Sequence, residues 1–78
     1  MGPDGTAALA KVLPETKVQT LDLRDNDIGA EGTAALAEVL RQTQIVSLNL
    51  RENRVKVEGA AALATVLPGS KIQVLLSR

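Results

Sequence analysis

A repeat with a fixed step of 27 residues is the feature that most restricts the fold of this chain. Residues 21–28 (LDLRDNDI) return as residues 48–55 (LNLRENRV), and Gly5, Gly32 and Gly59 keep the same step. A fixed period of this kind is typical of solenoids, in which each unit packs only against its neighbours. We therefore predict a single domain, residues 1–78. Its three units are residues 5–31 (unit one), 32–58 (unit two) and 59–78 (unit three).

Each unit is predicted to open with a helix. The openings are GTAALA, GTAALA and GAAALA, and alanine has the highest helix propensity. Each unit also has two leucines spaced four residues apart, such as Leu36 and Leu40, which therefore share one helix face. Pro14 and Pro68 should stop the first and third helices, whereas Arg41 at the same place predicts a slightly longer second helix.

A strand-like alternation follows a short polar connection in the first two units. Leu21 and Leu23 should point inward in unit one, as should Leu48 and Leu50 in unit two, with polar residues between them. Because a helix separates consecutive strands, the strands should run parallel. The pattern therefore predicts an α/β fold.

The third unit departs from this pattern. At the 27-residue step Ser77 takes the place of an inward leucine, and Val74 and Leu76 take places that are polar in the other units. Val74, Leu75 and Leu76 would then combine an apolar outer face with an unpaired strand edge, which is a template for pairing. We predict self-association through this edge, as a closed antiparallel dimer or head-to-tail, or docking onto further repeats. The alternative is that the strand shifts register or frays, so that Leu76 turns inward.

Composition argues against several classes of function. Nine basic and nine acidic residues give a net charge of zero, so no basic surplus favours nucleic acid. The chain has no cysteine, histidine or aromatic residue. Disulfides are therefore excluded, the commonest general base and metal ligand is absent, and we expect neither catalysis nor a cofactor. No apolar run is long enough to span a bilayer, and a cytoplasmic protein is expected.

The segments that start at Val18 and Ile45 resemble the leucine-rich repeat signature L-x-x-L-x-L-x-x-N-x-L. The glycine and helix that follow are similar to ribonuclease-inhibitor-like repeats, a style found in NOD-like receptors and the Ran GTPase-activating protein. The resemblance implies a short solenoid of three helix–strand units, with a parallel three-stranded sheet on the concave side. It also implies structural roles for Asn26 and Asn53, whose side-chain amides would bind backbone groups of the loop after the strand.

In this family the concave face usually contacts a protein. The residues expected on it here are Thr20, Asp22, Arg24, Asp25, Ser47, Asn49, Arg51 and Glu52. Arg24, Arg51 and Arg78 recur at the 27-residue step and should stack beside the acidic residues of this face. The alternative is a solvated face with intramolecular ion pairs, each of which contributes little.

Three hypotheses for the function follow. The first is a non-catalytic protein–protein interaction module that also associates with itself. The second is a designed or excised repeat unit whose main property is self-assembly. The third, regulation of a small GTPase by analogy with the Ran regulator, depends on the fold alone.

Overall fold

Three helices alternate with three strands in the computed structural model, which describes residues 1–76. The helices are α1 (Gly2–Val12), α2 (Gly29–Leu40) and α3 (Lys56–Val66). The strands are β1 (Thr20–Asp22), β2 (Ser47–Asn49) and β3 (Gln73–Leu75). A 3-10 turn at Leu13–Glu15 continues α1 beyond its last residue.

The strands form one parallel sheet in the order β1-β2-β3, so β1 and β3 are its edges. The helices form a second layer in which α2 packs between α1 and α3. These features confirm the predicted α/β fold with a parallel three-stranded sheet. Within residues 1–76, no helix has both the length and the apolar content needed to cross a membrane.

The core lies between the two layers and is centred on unit two. Leu40 and Leu48 of unit two are completely buried. Leu67 of unit three and Leu21 of unit one, which take the corresponding places, are only half-buried. The difference arises because unit two is covered by a neighbouring unit on both sides.

The helices begin three residues before the glycines that define the units. Gly2 and Gly29 start α1 and α2 with φ angles of +77° and +71°, and Lys56 starts α3 with a φ of +59°. This left-handed conformation has no steric cost for glycine but costs other residues about 1–2 kcal/mol. The predicted greater length of the second helix is confirmed, since α2 has 12 residues and α1 and α3 have 11 each.

The register of β3 differs from the register predicted by the repeat. Leu21 of β1 pairs with Leu48 of β2, a step of 27 residues. Leu48 pairs in turn with Val74 of β3, a step of only 26 residues. The third strand has therefore moved by one residue along the sheet.

The shift arises just before β3, where the path into the strand is one residue shorter than the path into β2. The N–H groups of Val46 and Ser47 both donate to the carbonyl of Gln19, at 2.7 and 3.1 Å. On the other side of β2, the N–H of Gln73 donates to the carbonyl of Val46 at 2.9 Å. Only one residue separates the half-buried Ile72 from Val74. In unit two, by contrast, two residues separate the buried Ile45 from Leu48.

This register reverses part of the prediction for the third strand. Val74 takes the inward place and packs against the core, so its predicted outward position is wrong. Leu75 lies beside Asn49 instead, on the sheet face that points away from the core. Leu76 follows at the place of an inward leucine, as the register-shift alternative requires, but its side chain is 40% exposed. Ser77 lies outside the described residues.

Candidate interaction surfaces

The outer face of the sheet, defined as the face that points away from the helices, brings the predicted strand residues together. Thr20 of β1 lies beside Ser47 of β2, and Asp22 lies beside Asn49. Thr20 and Asp22 are exposed, whereas Ser47 and Asn49 are half-buried. Leu75 of β3 extends the second of these rows, so the face is polar over two strands and apolar at its edge.

Two polar side chains of this face also support the backbone. A carboxylate oxygen of Asp22 accepts a hydrogen bond from the N–H of Arg24 at 3.1 Å. The side-chain oxygen of Asn49 accepts an equivalent bond from the N–H of Arg51, also at 3.1 Å. Both side chains therefore stabilise the turn out of the strand, in addition to any contact with a partner.

The intramolecular ion pairs of the alternative interpretation are not formed by Arg24 or Arg51 within residues 1–76. Neither Arg24 nor Arg51 has a carboxylate within 4.0 Å in this part of the chain. The ion pair present there joins Arg54 Nε to Asp27 Oδ1 at 4.0 Å, and both side chains are highly exposed. Asp25 and Glu52 are exposed as well, and Arg78 lies outside the described residues.

Arg51 differs from Arg24 in its surroundings. Arg24 is exposed, whereas Arg51 is half-buried and its Nε atom is fully buried. Among the described residues this Nε has no hydrogen-bond partner. Arg51 is thus the side chain of the outer sheet face with an unsatisfied donor.

Asn53 joins unit two to the loop of unit one. Its side-chain oxygen accepts hydrogen bonds from the N–H groups of Asn26, at 2.7 Å, and Ile28, at 3.2 Å. Its amide nitrogen donates to the carbonyls of Leu23, at 2.6 Å, and Arg51, at 3.0 Å. The side chain is 1% exposed, so its own oxygen and nitrogen depend on these bonds and not on water.

Asn26 does not repeat this arrangement. It is half-buried, and its amide nitrogen donates to the carbonyl of Arg24 at 3.2 Å. In the described chain no earlier unit supplies a loop for its oxygen to cap. The two asparagines occupy equivalent places in the repeat, but their side chains make different hydrogen bonds. The reason is that such a side chain binds the loop of the preceding unit.

A groove of about 550 Å³ borders β3 and the start of α3. We define this edge groove by its lining residues: Asp25, Glu52, Asn53, Arg54, Val55, Lys56, Ala60 and Leu76. Leu76, which is 40% exposed, gives the groove an apolar side chain, and the neighbouring Leu75 is 41% exposed. Sequence reasoning missed the groove because loops of two units and a helix contribute to it.

The acidic side chains are spread over the surface of several loops, the helices and β1. Within residues 1–76, no group of three or more of them is placed to hold a metal ion together.

Comparisons with known proteins agree with the repeat seen in the structure. A family model described as Leucine Rich repeat matches residues 16–37 and 43–64, which is more than half of the chain. Each match covers a connection, a strand, an asparagine loop and most of the following helix. No curated protein and no solved structure gave a significant match. The ribonuclease-inhibitor-like style of the repeats stays a prediction. The chain belongs to the leucine-rich repeat family.

Proposed function

We propose that this chain is a non-catalytic protein-binding module that also associates with itself through its edge strands. Membership of the leucine-rich repeat family supports the first part, because these repeats generally mediate protein–protein interaction. The observation that carries the second part is the apolar edge at β3. Leu75 and Leu76 are 41% and 40% exposed, beside strand edges that are free to pair.

The outer sheet face is the proposed surface for another protein. It presents both signs of charge, and the charges of Arg24 and Asp22 are not paired with each other. A partner with alternating acidic and basic groups could pair with them without first breaking internal ion pairs.

Self-association is tested by the solution mass of the protein over a wide concentration range. Light scattering with refractive-index detection suits this chain, because it lacks aromatic residues and absorbs weakly. We expect the mass to rise to a multiple of 8.2 kDa. A mass of 8.2 kDa at every concentration would show that the edges do not associate.

The Leu76→Lys variant tests whether the β3 edge is responsible. A lysine should prevent the edge from docking, lower the solution mass and lower the melting temperature. Val46→Lys is the matched control, because Val46 is 47% exposed and belongs to unit two. If Leu76→Lys leaves both mass and melting unchanged, the β3 edge is not the contact.

A further inference from the structure

Neighbouring helices approach each other through a threonine of one unit and a glycine of the next. A Cβ atom built on Gly32 would lie 3.3 Å from Cβ of Thr6, and one built on Gly59 would lie 3.1 Å from Cβ of Thr33. The same Cβ atoms would lie closer still to a preceding side chain, at 2.5 Å from Ile28 Cγ2 for Gly32 and 2.7 Å from Val55 Cγ1 for Gly59. A side chain at either glycine would therefore force its neighbours to move. Both threonines are completely buried, and their hydroxyls donate to carbonyls of their own helices at 2.8 Å. The same close contact is thus used twice inside the chain.

Helix α3 presents one half of this contact without a covering helix. Ala64 is exposed, whereas Ala10 and Ala37, at the same place in α1 and α2, are 3% exposed because the next helix covers them. Ala60 takes the place of the two threonines and is half-buried. Val57 is 81% exposed. We define the tail face as Val57, Ala60, Ala64 and Leu76.

Helix α1 presents the other half. Gly5 corresponds to the two packed glycines, but among the described residues a Cβ atom there would meet only the side chain of Met1, at 2.9 Å. That side chain is itself 57% exposed. Val12 is 50% exposed, whereas Val39 and Val66, at the same place in α2 and α3, are half-buried against the core. We define the head face as Gly5, Val12 and Leu21.

We infer that the head face of one copy docks on the tail face of a second copy, so that the chain associates head-to-tail. This inference depends on the proposed self-association and specifies its geometry. Docking α1 on α3 would continue the packing that already joins α1 to α2 and α2 to α3, with Gly5 against Ala60. It would also bring the edge of β1 beside β3 in the parallel direction used within the chain.

A two-fold pairing of two β3 edges would not use the head face. The notch at Gly5 and the exposed side chain of Val12 would then stay uncovered. A head-to-tail contact covers both faces with one interface. Because such a contact joins unlike surfaces, it leads to rings or to open chains and not to a closed dimer.

Two variants separate these geometries, since each blocks a single face. Gly5→Leu places a large side chain in the notch on the head face, where its Cβ atom would meet the side chain of Met1. Leucine also has a higher helix propensity than glycine. Ala64→Lys places a charged side chain at an exposed helical position of the tail face. Far-ultraviolet circular dichroism checks that both variants are folded. Val46→Lys again serves as the control for an added charge.

Head-to-tail docking predicts complementation between these variants. Each variant alone should have a mass of 8.2 kDa, because one of its two faces is blocked. An equimolar mixture should form a one-to-one heterodimer, from the intact tail face of Gly5→Leu and the intact head face of Ala64→Lys. The mass of the mixture should stop at twice 8.2 kDa as concentration rises.

Other outcomes separate this inference from the proposed function. If the wild type stays monomeric, self-association fails and the inference fails with it. If the wild type associates and Gly5→Leu associates equally well, the head face is not used, and head-to-tail docking is overturned while self-association stands. Two monomeric variants that do not complement each other would also overturn it.

Discussion

Replacing Asn53 with alanine is expected to remove a large part of the stability of this domain. The substitution removes four hydrogen bonds made by a side chain that is 1% exposed, to two N–H groups and to the carbonyls of Leu23 and Arg51. Of these groups, the Arg51 carbonyl still accepts a hydrogen bond from the N–H of Asp25 at 3.0 Å. At a net value of about 1 kcal/mol for each hydrogen bond, the loss is about 4 kcal/mol. Water that enters the space left by the side chain should replace some of these hydrogen bonds. We therefore expect the free energy of unfolding to fall by about 3–4 kcal/mol. Globular domains typically have a free energy of unfolding of about 0.05–0.15 kcal/mol per residue. The expected loss is therefore a quarter or more of the free energy of unfolding of this domain.

Asn26→Ala is the matched control for this prediction. Asn26 has the same place in unit one but donates one hydrogen bond at 3.2 Å from a half-exposed position, so its loss should cost less than about 1 kcal/mol. Urea denaturation followed by far-ultraviolet circular dichroism measures both, because a chain without aromatic residues has no useful fluorescence. Equal losses would refute the argument that each asparagine stabilises the loop of the preceding unit.

Three further predictions concern single backbone and packing positions. Lys56→Gly should raise the melting temperature by about 4–8 °C, since Lys56 has a φ of +59° where the other helices start with glycine; an unchanged or lower value would contradict this. Val74→Asp should cost about 2–3 kcal/mol in urea denaturation and Leu75→Asp less than about 1 kcal/mol, because only Val74 faces the core. The reverse order would indicate the 27-residue register. In thermal denaturation Gly59→Ala should be destabilising by about 1–3 kcal/mol, because its Cβ would lie 2.7 Å from Val55 Cγ1 and 3.1 Å from Cβ of Thr33 in the neighbouring helix. Gly5→Ala should instead be stabilising by about 0.5–1 kcal/mol, and equal effects would show that the helix contact is not tight.

The repeated elements could be predicted because the same residues recur at the same places. Alanine and leucine at helical spacing favour a helix in any of the three units, and alternating leucines favour a strand in the first two. A helix between consecutive strands then requires a parallel sheet. These preferences are local, so they could be inferred before any contact between units was known.

The candidate surfaces were predicted less completely. The strand residues of the outer sheet face do lie side by side, since neighbouring parallel strands bring equivalent residues together. The intramolecular ion pairs of the alternative interpretation are absent at Arg24 and Arg51 among the described residues, because nearness along a repeat does not determine where long side chains point. The edge groove combines residues from two loops and α3, and no single segment carries a signal for it.

The sequence by itself determined the unit length, the kinds of elements and their order, because each depends on preferences within one repeat. Only the tertiary structure decided the register of β3, since three consecutive apolar residues at 74–76 satisfy an inward place in either register. The same holds for Asn53 and Asn26, which differ through the unit that each one contacts. Residues at equivalent places in the repeat have different neighbours in different units. Those neighbours are determined by how the units pack together and not by the sequence of one repeat.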